Sequence, residues 1–245
     1  MEKKQFKQIT EFLKDREEDK YYLKYSKLQI DSKLEGVIIK QLNSYYWKKH
    51  FDIGYYKHQH KEGGTLSDFI RNIVIHIGGA KIFNEKVEVF ANYIKGICKE
   101  FSKDDIKRHT YYRMFYKNYI GFLFEDLLLE FLRSEGFEII QNEELDNKYK
   151  IDLLLKHKGY EGAIGIQCKN ISYLNVKKSI RDNHTAQHNK AIEEEVCNEV
   201  IFVLYGKDFN IFSECGVATN EGKLVEIIKN KLNFGNKKIL NVGRQ

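Results

Sequence analysis

The feature that most constrains this chain is a change of hydrophobic period at Gly136. Before it, GFLFEDLLLEFLRSEG carries apolar residues at helical spacing; after it, FEIIQ, KIDLLLKH and YEGAIGIQCK have strand lengths and strand composition. Lys158 and Gly159 form a tight turn between the second and third of these segments. The pattern continues with a helix over about 176–196, a strand in EVIFVLYG apolar enough to be buried on both faces, a short fifth strand in DFNIFSE, and a closing helix in GKLVEIIKNKL. Helix, three strands, helix, two strands and helix predict an α/β fold, a mixed central sheet flanked by helices.

Upstream, the pattern is helical, and the expected division is a helical subdomain over 1–118 and an α/β domain over 119–245. Phe6, Ile9, Phe12 and Leu13 place a first helix at 4–20, and Asp31 or Ser32 caps a second that runs to about His50. FDIGYYKHQHKEGG then breaks the period and reads as a loop, with Tyr55 and Tyr56 available to stack or hydrogen bond. Thr65 or Ser67 starts a third helix that stops at Gly78 and Gly79, with His76 read as a core histidine, and Asn84 caps a fourth. Asp104 or Asp105 opens a run of some thirty residues ending at Gly136, too long for one ordinary helix, so a break is expected near Asn118 to Gly121.

Apolar residues make up 42 % of the chain, which suits a packed core. No apolar run reaches the roughly 18 to 20 residues of a membrane helix, and MEKKQFKQITEFLKD lacks a signal-peptide block, so a soluble, cytoplasmic protein is expected. Cys98, Cys168, Cys197 and Cys215 form no CxxC pair, and they read as reduced thiols. The net charge of +6 is unevenly spread: residues 1–120 hold 24 Lys and Arg against 16 Asp and Glu, whereas 121–245 hold 17 against 19. A basic first half beside an acid-bearing second half suits a surface that grips phosphate, and a lysine-rich solvated surface gives the same numbers.

Four polar side chains stand in apolar surroundings: Glu125 on the helix, Asp152 on the second strand, and Gln167 and Lys169 at the end of the third. Strand alternation puts Gln167 and Lys169 on one face and Cys168 on the other, with Asp152 facing Gln167 while Ile151, Leu153 and Leu155 point away. A bare buried carboxylate is costly, and a cation is the economical partner for Glu125 and Asp152. Mg²⁺, with Mn²⁺ as a substitute, takes oxygen ligands, which Asp152, Gln167, the Cys168 backbone carbonyl and Glu125 can supply. Lys169 is then placed to hold a phosphate oxygen or orient the attacking water, and the chemistry is metal-assisted phosphodiester hydrolysis. A salt bridge between Asp152 and Lys169 in a non-enzymatic domain is the plainer alternative.

These residues resemble the pattern of the PD-(D/E)XK nuclease superfamily, in its QxK variant, over about residues 120–215; the FEDLLLEFLRSEGFEII, IDLLL and IGIQCK run is similar to Mrr-like and several type II restriction endonucleases. Ile151 stands where proline is usual, and Gln167 replaces an acid, which removes a negative charge from the site. The resemblance implies a restriction-endonuclease-like core and a Mg²⁺-dependent type II enzyme cutting a specific sequence in double-stranded DNA. It also implies a homodimer matched to two-fold DNA symmetry and a cognate DNA methyltransferase encoded nearby. An Mrr-like, transposase-subunit-like or junction-resolving nuclease, or a non-cutting DNA-binding protein with a nuclease fold, are the alternatives. Candidate DNA contacts are Arg71, Lys107, Arg108, Arg113 and Lys117 in the basic half, and Arg181, Gln187 and His188 on the helix after the QxK strand.

Overall fold

The computed structural model describes residues 19–53, 65–160, 162–175, 178–206, 211–212, 218–219 and 221–242. The chain divides into two compact units, Met1–Leu123 and Phe124–Gln245. The expected helix at 4–20 and the loop tyrosines Tyr55 and Tyr56 lie outside the described residues.

The first unit is helical: α1 (Lys20–Ser26), α2 (Ser32–Leu42), α3 (Tyr45–His50), α4 (Leu66–His76), α5 (Ala80–Ile97) and α6 (Lys103–Tyr111), followed by a π-helical segment, Tyr112–Lys117. Asp31 caps α2 by accepting from the Lys33 and Leu34 amides, and Thr65 caps α4 in a reciprocal capping box with Asp68. The single helix expected from Asp31 to His50 is two, because the chain breaks at Asn43 and Ser44, whose hydroxyl donates back to the Gln41 carbonyl (2.6 Å), and a second helix starts at Tyr45. The next helix begins earlier than Asn84: Gly79, at φ 96°, turns the chain directly into Ala80. His76 is an exposed partner of Asp52 (2.6 Å) rather than a core residue. Leu34, Ile38, Phe51, Val87, Phe90, Ile94 and Ile106 are fully enclosed, and Trp47 packs edge-on against Phe90. Among the described residues, no helix is long and apolar enough to cross a membrane.

The break expected at Asn118 to Gly121 comes just before it, as the π-helical segment, and α7 (Asn118–Ser134) follows it and crosses the boundary between the units. The second unit continues with β1 (Phe137–Ile140), a π-turn (Leu145–Tyr149), β2 (Leu153–His157), β3 (Ile164–Asn170), a 3-10 turn (Ile171–Asn175), α8 (Lys178–Glu193), β4 (Glu199–Tyr205), β5 (Ile211–Phe212), β6 (Ala218–Thr219) and α9 (Glu221–Val242). β6 is an addition to the sequence pattern, and two residues are too short to leave a periodicity. The strands form one mixed sheet in sequential order, with β3 antiparallel to β2 and parallel to β4. A parallel pair needs a crossover, and α8 makes it.

The two faces of the sheet are covered by different helices. On one, Gly165 packs so closely against Ile151 and Val200 that a Cβ would sit 3.0 Å from each, and Ile151, Leu154, Ala163, Ala191 and Cys197 form one buried cluster. Ala191 belongs to α8, so α8 covers this side. On the other, Phe124 of α7 stacks on Tyr205 of β4 with centroids 4.3 Å apart, and Lys229 of α9 lies over the Phe137 ring. Helices on both faces of a mixed sheet give the α/β architecture of a restriction-endonuclease-like core.

Candidate active site

Asp152 does not sit inside β2. The strand begins at Leu153, and Asp152 occupies a bend just before it. Extending the β2–β3 register from Leu153 and Ile166 would pair Asp152 with Gln167. Instead the Asp152 N–H donates to the Ile166 carbonyl (2.8 Å), and the Asp152 Oδ2 accepts the Cys168 N–H (2.7 Å). The acid therefore takes over a ladder position on each side of Gln167, and its carboxylate lies in the gap where two strands part. The bend does what a bulge does: it re-aims one side chain. It also corrects the expected alternation, because Ile151 turns into the cluster with Leu154 instead of sharing a face with Leu153 and Leu155.

Gln167 is 1 % exposed, and its Oε1 is a buried oxygen without a hydrogen-bond partner. Its neighbour across the parallel pair is Phe202. Cys168 is fully enclosed; burial first, then the Asp152 and Glu125 charges, push its thiol well above the usual range, and Lys169 opposes them. The thiol is inert, and the charges around it locate the site. Asp152, Glu125 and Lys169 all act on one atom at the end of β3. Lys169 itself is half-buried. The structure thus gathers Asp152, Gln167 and Lys169 directly and brings Glu125, next to Phe124 on α7, within electrostatic reach.

On the α8 side, Tyr173 hydrogen bonds through its hydroxyl to His184 Nδ1 (2.8 Å), and both Tyr173 and His188 pack on Phe202. Burial, with Lys169 and Lys150 nearby, lowers the His184 pKa; burial pulls His188 down to about 4, against an opposing hydrogen bond to the Lys150 backbone. Both imidazoles are neutral at neutral pH. Tyr173, Leu174, Arg181, Thr185, Phe202 and Leu204 line a cavity of about 240 Å³ beside them.

The candidate DNA contacts fall into two groups. In the first unit Arg71 pairs with Asp68 (2.5 Å), Arg108 with Asp105 (2.5 Å) and Lys107 with Glu88; Arg113 is half-buried, and Lys117 is half-buried over the Tyr112 ring, where burial lowers its pKa. Exposed pairs of this kind are worth about 0 to 1 kcal/mol and exchange readily for phosphate. In the second unit Arg181 is exposed, whereas the Gln187 Oε1 is buried and unpartnered and His188 is 6 % exposed. His188 faces the sheet, so a direct DNA contact from this ring would require it to leave its packing. What the sequence hid was the turn that delivers Asp152: Lys150 adopts a left-handed conformation (φ 57°), which nothing in the residue type announces.

A divalent ion fits this donor set. Among the described residues, no three His, Cys, Asp or Glu side chains stand close enough to hold an ion between them, so the set has to draw on the Gln167 amide oxygen and the Cys168 carbonyl beside the two acids. A buried, unpartnered amide oxygen one residue from a carboxylate is a hard-cation donor without a better use.

Residues 117–213 match the family model of the Mrr catalytic domain, described as a restriction endonuclease. This segment is similar to an Mrr-type restriction-endonuclease domain. The match spans all four candidate residues and the helices α7 and α8. No curated protein and no solved structure matches the chain. The match supports a nuclease of restriction-endonuclease type.

Proposed function

We propose that this chain is a Mg²⁺-dependent type II restriction endonuclease, cutting both strands of a fixed duplex sequence as a homodimer. The observation that carries the reading is the pairing of an aimed carboxylate, Asp152 on the Cys168 N–H, with the orphaned Gln167 Oε1, inside a segment that matches a restriction endonuclease. Asp152, Gln167, the Cys168 carbonyl and Glu125 would hold the ion, and Mn²⁺ would substitute for Mg²⁺. The chemistry such an ion would supply there is polarisation of a phosphoryl oxygen and a lowered pKa for a water. Lys169, half-buried at the strand end, holds a non-bridging phosphate oxygen and orients the attacking water. Gln167 contributes no charge, so the site carries two acids where a third is usual, and weaker ion binding follows. Arg71, Lys107, Arg108, Arg113 and Lys117 hold the duplex from the first unit, with Arg181 and Gln187 beside the site. A cognate methyltransferase encoded nearby protects the host's own sequence.

The match to an Mrr-type domain favours a second reading, an Mrr-like nuclease without a fixed cut sequence. Incubating the purified protein with a phage-sized DNA and Mg²⁺ separates the two. Discrete bands, absent with Lys169→Ala and Asp152→Ala, support the type II reading; a smear absent in the same variants supports the second. Tight DNA binding without cutting in either metal overturns both.

A further inference from the structure

Residues paired across parallel strands point to the same face of the sheet, so the β3–β4 register places Phe202 beside Gln167 and Leu204 beside Lys169. Asp152 stands on the β2 flank of this pair, on the Cys168 N–H. On the β4 flank, Phe202 and Leu204 form part of the wall of the cavity of about 240 Å³. Arg181 and Thr185, one turn apart on α8, line it from the helix, and Tyr173 and Leu174 line it from the 3-10 turn. Arg181 and Thr185 are exposed and Leu204 is 1 % exposed, so the cavity opens between the two α8 residues and closes on the strand. Its wall is fixed: the Tyr173 ring stacks on Phe202 with centroids 5.3 Å apart, and its hydroxyl is tied to His184 Nδ1 (2.8 Å). Leu174, Phe202 and Leu204 offer only apolar surface. The Thr185 hydroxyl donates to the Arg181 carbonyl (3.0 Å), which leaves its lone pairs to accept. The Arg181 guanidinium has no acid partner among the described residues, in contrast to Arg71 and Arg108.

We propose that this cavity is a nucleotide subsite: it receives the nucleoside next to the scissile phosphate, with Arg181 on that nucleoside's outer phosphate while Lys169 holds the scissile one. The inference rests on the reading of Lys169 as the group that holds the scissile phosphate, and it assigns what binds on the β4 side of it. Neighbouring strands lie about 4.8 Å apart, so the cavity begins one strand from Lys169, within the reach of a single nucleotide. Its volume falls below the roughly 300–1,000 Å³ of drug-sized pockets, which suits one nucleoside and no more. The apolar wall takes the flat face of a base or sugar, the Thr185 hydroxyl accepts from an N–H or O–H, and the planar guanidinium fork matches phosphate. An inorganic anion alone would leave the wall of Leu174, Phe202 and Leu204 without a use. A nucleoside seated there fixes the scissile phosphate between the Asp152 flank and Lys169, which is catalysis by positioning.

The probe is thymidine 3′,5′-bisphosphate, one nucleoside with a phosphate on each side, added to the full-length protein in chelator, with thymidine and inorganic phosphate as controls. The first readout is the methyl NMR signals of Leu174, Thr185 and Leu204. They are expected to shift saturably with the bisphosphate, and to need at least tenfold more of either control. Two variants at exposed helix positions separate the parts of the site: Thr185→Phe fills the cavity with a ring, and Arg181→Met removes the charge and keeps the stem. Each is expected to weaken bisphosphate binding at least tenfold. The second readout is DNA cleavage, where each variant is expected to lower kcat/KM at least tenfold while the Mg²⁺ dependence stays at its wild-type position, because neither residue touches the ion. Absence of methyl shifts with the bisphosphate overturns the proposal, as does wild-type binding in Thr185→Phe. Equal responses to bisphosphate and inorganic phosphate also overturn it, since Arg181 would then be an anion contact only. If the wild type cuts no DNA but the bisphosphate binds and Thr185→Phe abolishes it, the subsite holds and the nuclease reading fails. If the wild type cuts and neither variant alters binding or rate, the nuclease reading holds and the subsite fails.

Discussion

Gln167→Leu is expected to make the metal-free protein more stable while abolishing cleavage. The Gln167 Oε1 is buried and unpartnered in a side chain that is 1 % exposed. Leaving a buried acceptor unmade costs about 1–3 kcal/mol. Leucine removes that acceptor and keeps most of the apolar volume, and the change of shape against Phe202 costs under about 1.5 kcal/mol. The net gain is about 1 kcal/mol, or roughly 4 °C in Tm for a unit of this size. The assay is thermal unfolding in chelator, paired with cleavage of a duplex in Mg²⁺. Divalent metal should raise the Tm of the wild type and leave that of the variant unchanged, because only the wild type keeps the amide oxygen that the ion takes. A lower Tm for the variant in chelator, together with retained cutting, would falsify the idea that this oxygen waits for a cation.

Three further outcomes follow from the same geometry. Gly165→Ala forces a Cβ to 3.0 Å from Ile151 and Val200, and should destabilise the second unit by about 1–3 kcal/mol in urea unfolding, since the neighbours are core side chains; an unchanged midpoint would mean the sheet yields freely. The Cys168 thiol, enclosed and pushed well up, should resist iodoacetamide in the folded protein and react after unfolding, as read by mass mapping; rapid native labelling would contradict the enclosure. His188 has a folded pKa of about 4, below its ordinary 6.5, so its protonation favours the unfolded chain. The stability contributed by the neutral ring is fully present above pH 6.5 and is lost as pH falls toward and through 4. The pH slope of unfolding free energy in that window should therefore flatten in His188→Asn, whose amide does not titrate; an unchanged slope would assign the acid sensitivity to His50 and His184, whose pKa values burial also lowers.

How far the sequence carried depended on the physical source of each feature. The β1, β3 and β4 segments and the α8 crossover were legible because burial on one or both faces leaves a periodicity, and the QxK residues were legible because polar side chains at the end of a buried strand demand an explanation. The break at Asn43 and the start of α5 at Ala80 were misread, since a serine inside a helical stripe and a glycine just before one look the same with or without a cap. The bend at Asp152 was not legible at all. It follows a turn with a left-handed lysine whose two preceding residues, Lys148 and Tyr149, are tied to Glu194, 45 to 46 residues away in sequence, and no local pattern encodes such a hold. His188 was singled out for its place on the helix after the QxK strand. Its burial against Phe202, a tertiary property, is what changes its meaning.

The most direct test of the central claim is the cleavage rate of one duplex, under single-turnover conditions, as a function of Mg²⁺ and Mn²⁺ concentration for the wild type, Asp152→Asn and Lys169→Met. If Asp152 holds the ion and Lys169 acts on the phosphate, the wild type cuts with a saturable dependence on metal. Asp152→Asn then shifts that dependence to much higher metal concentration, and Lys169→Met lowers the saturated rate without moving it. Cleavage by the wild type in chelator, or an unchanged metal dependence in Asp152→Asn, would contradict it.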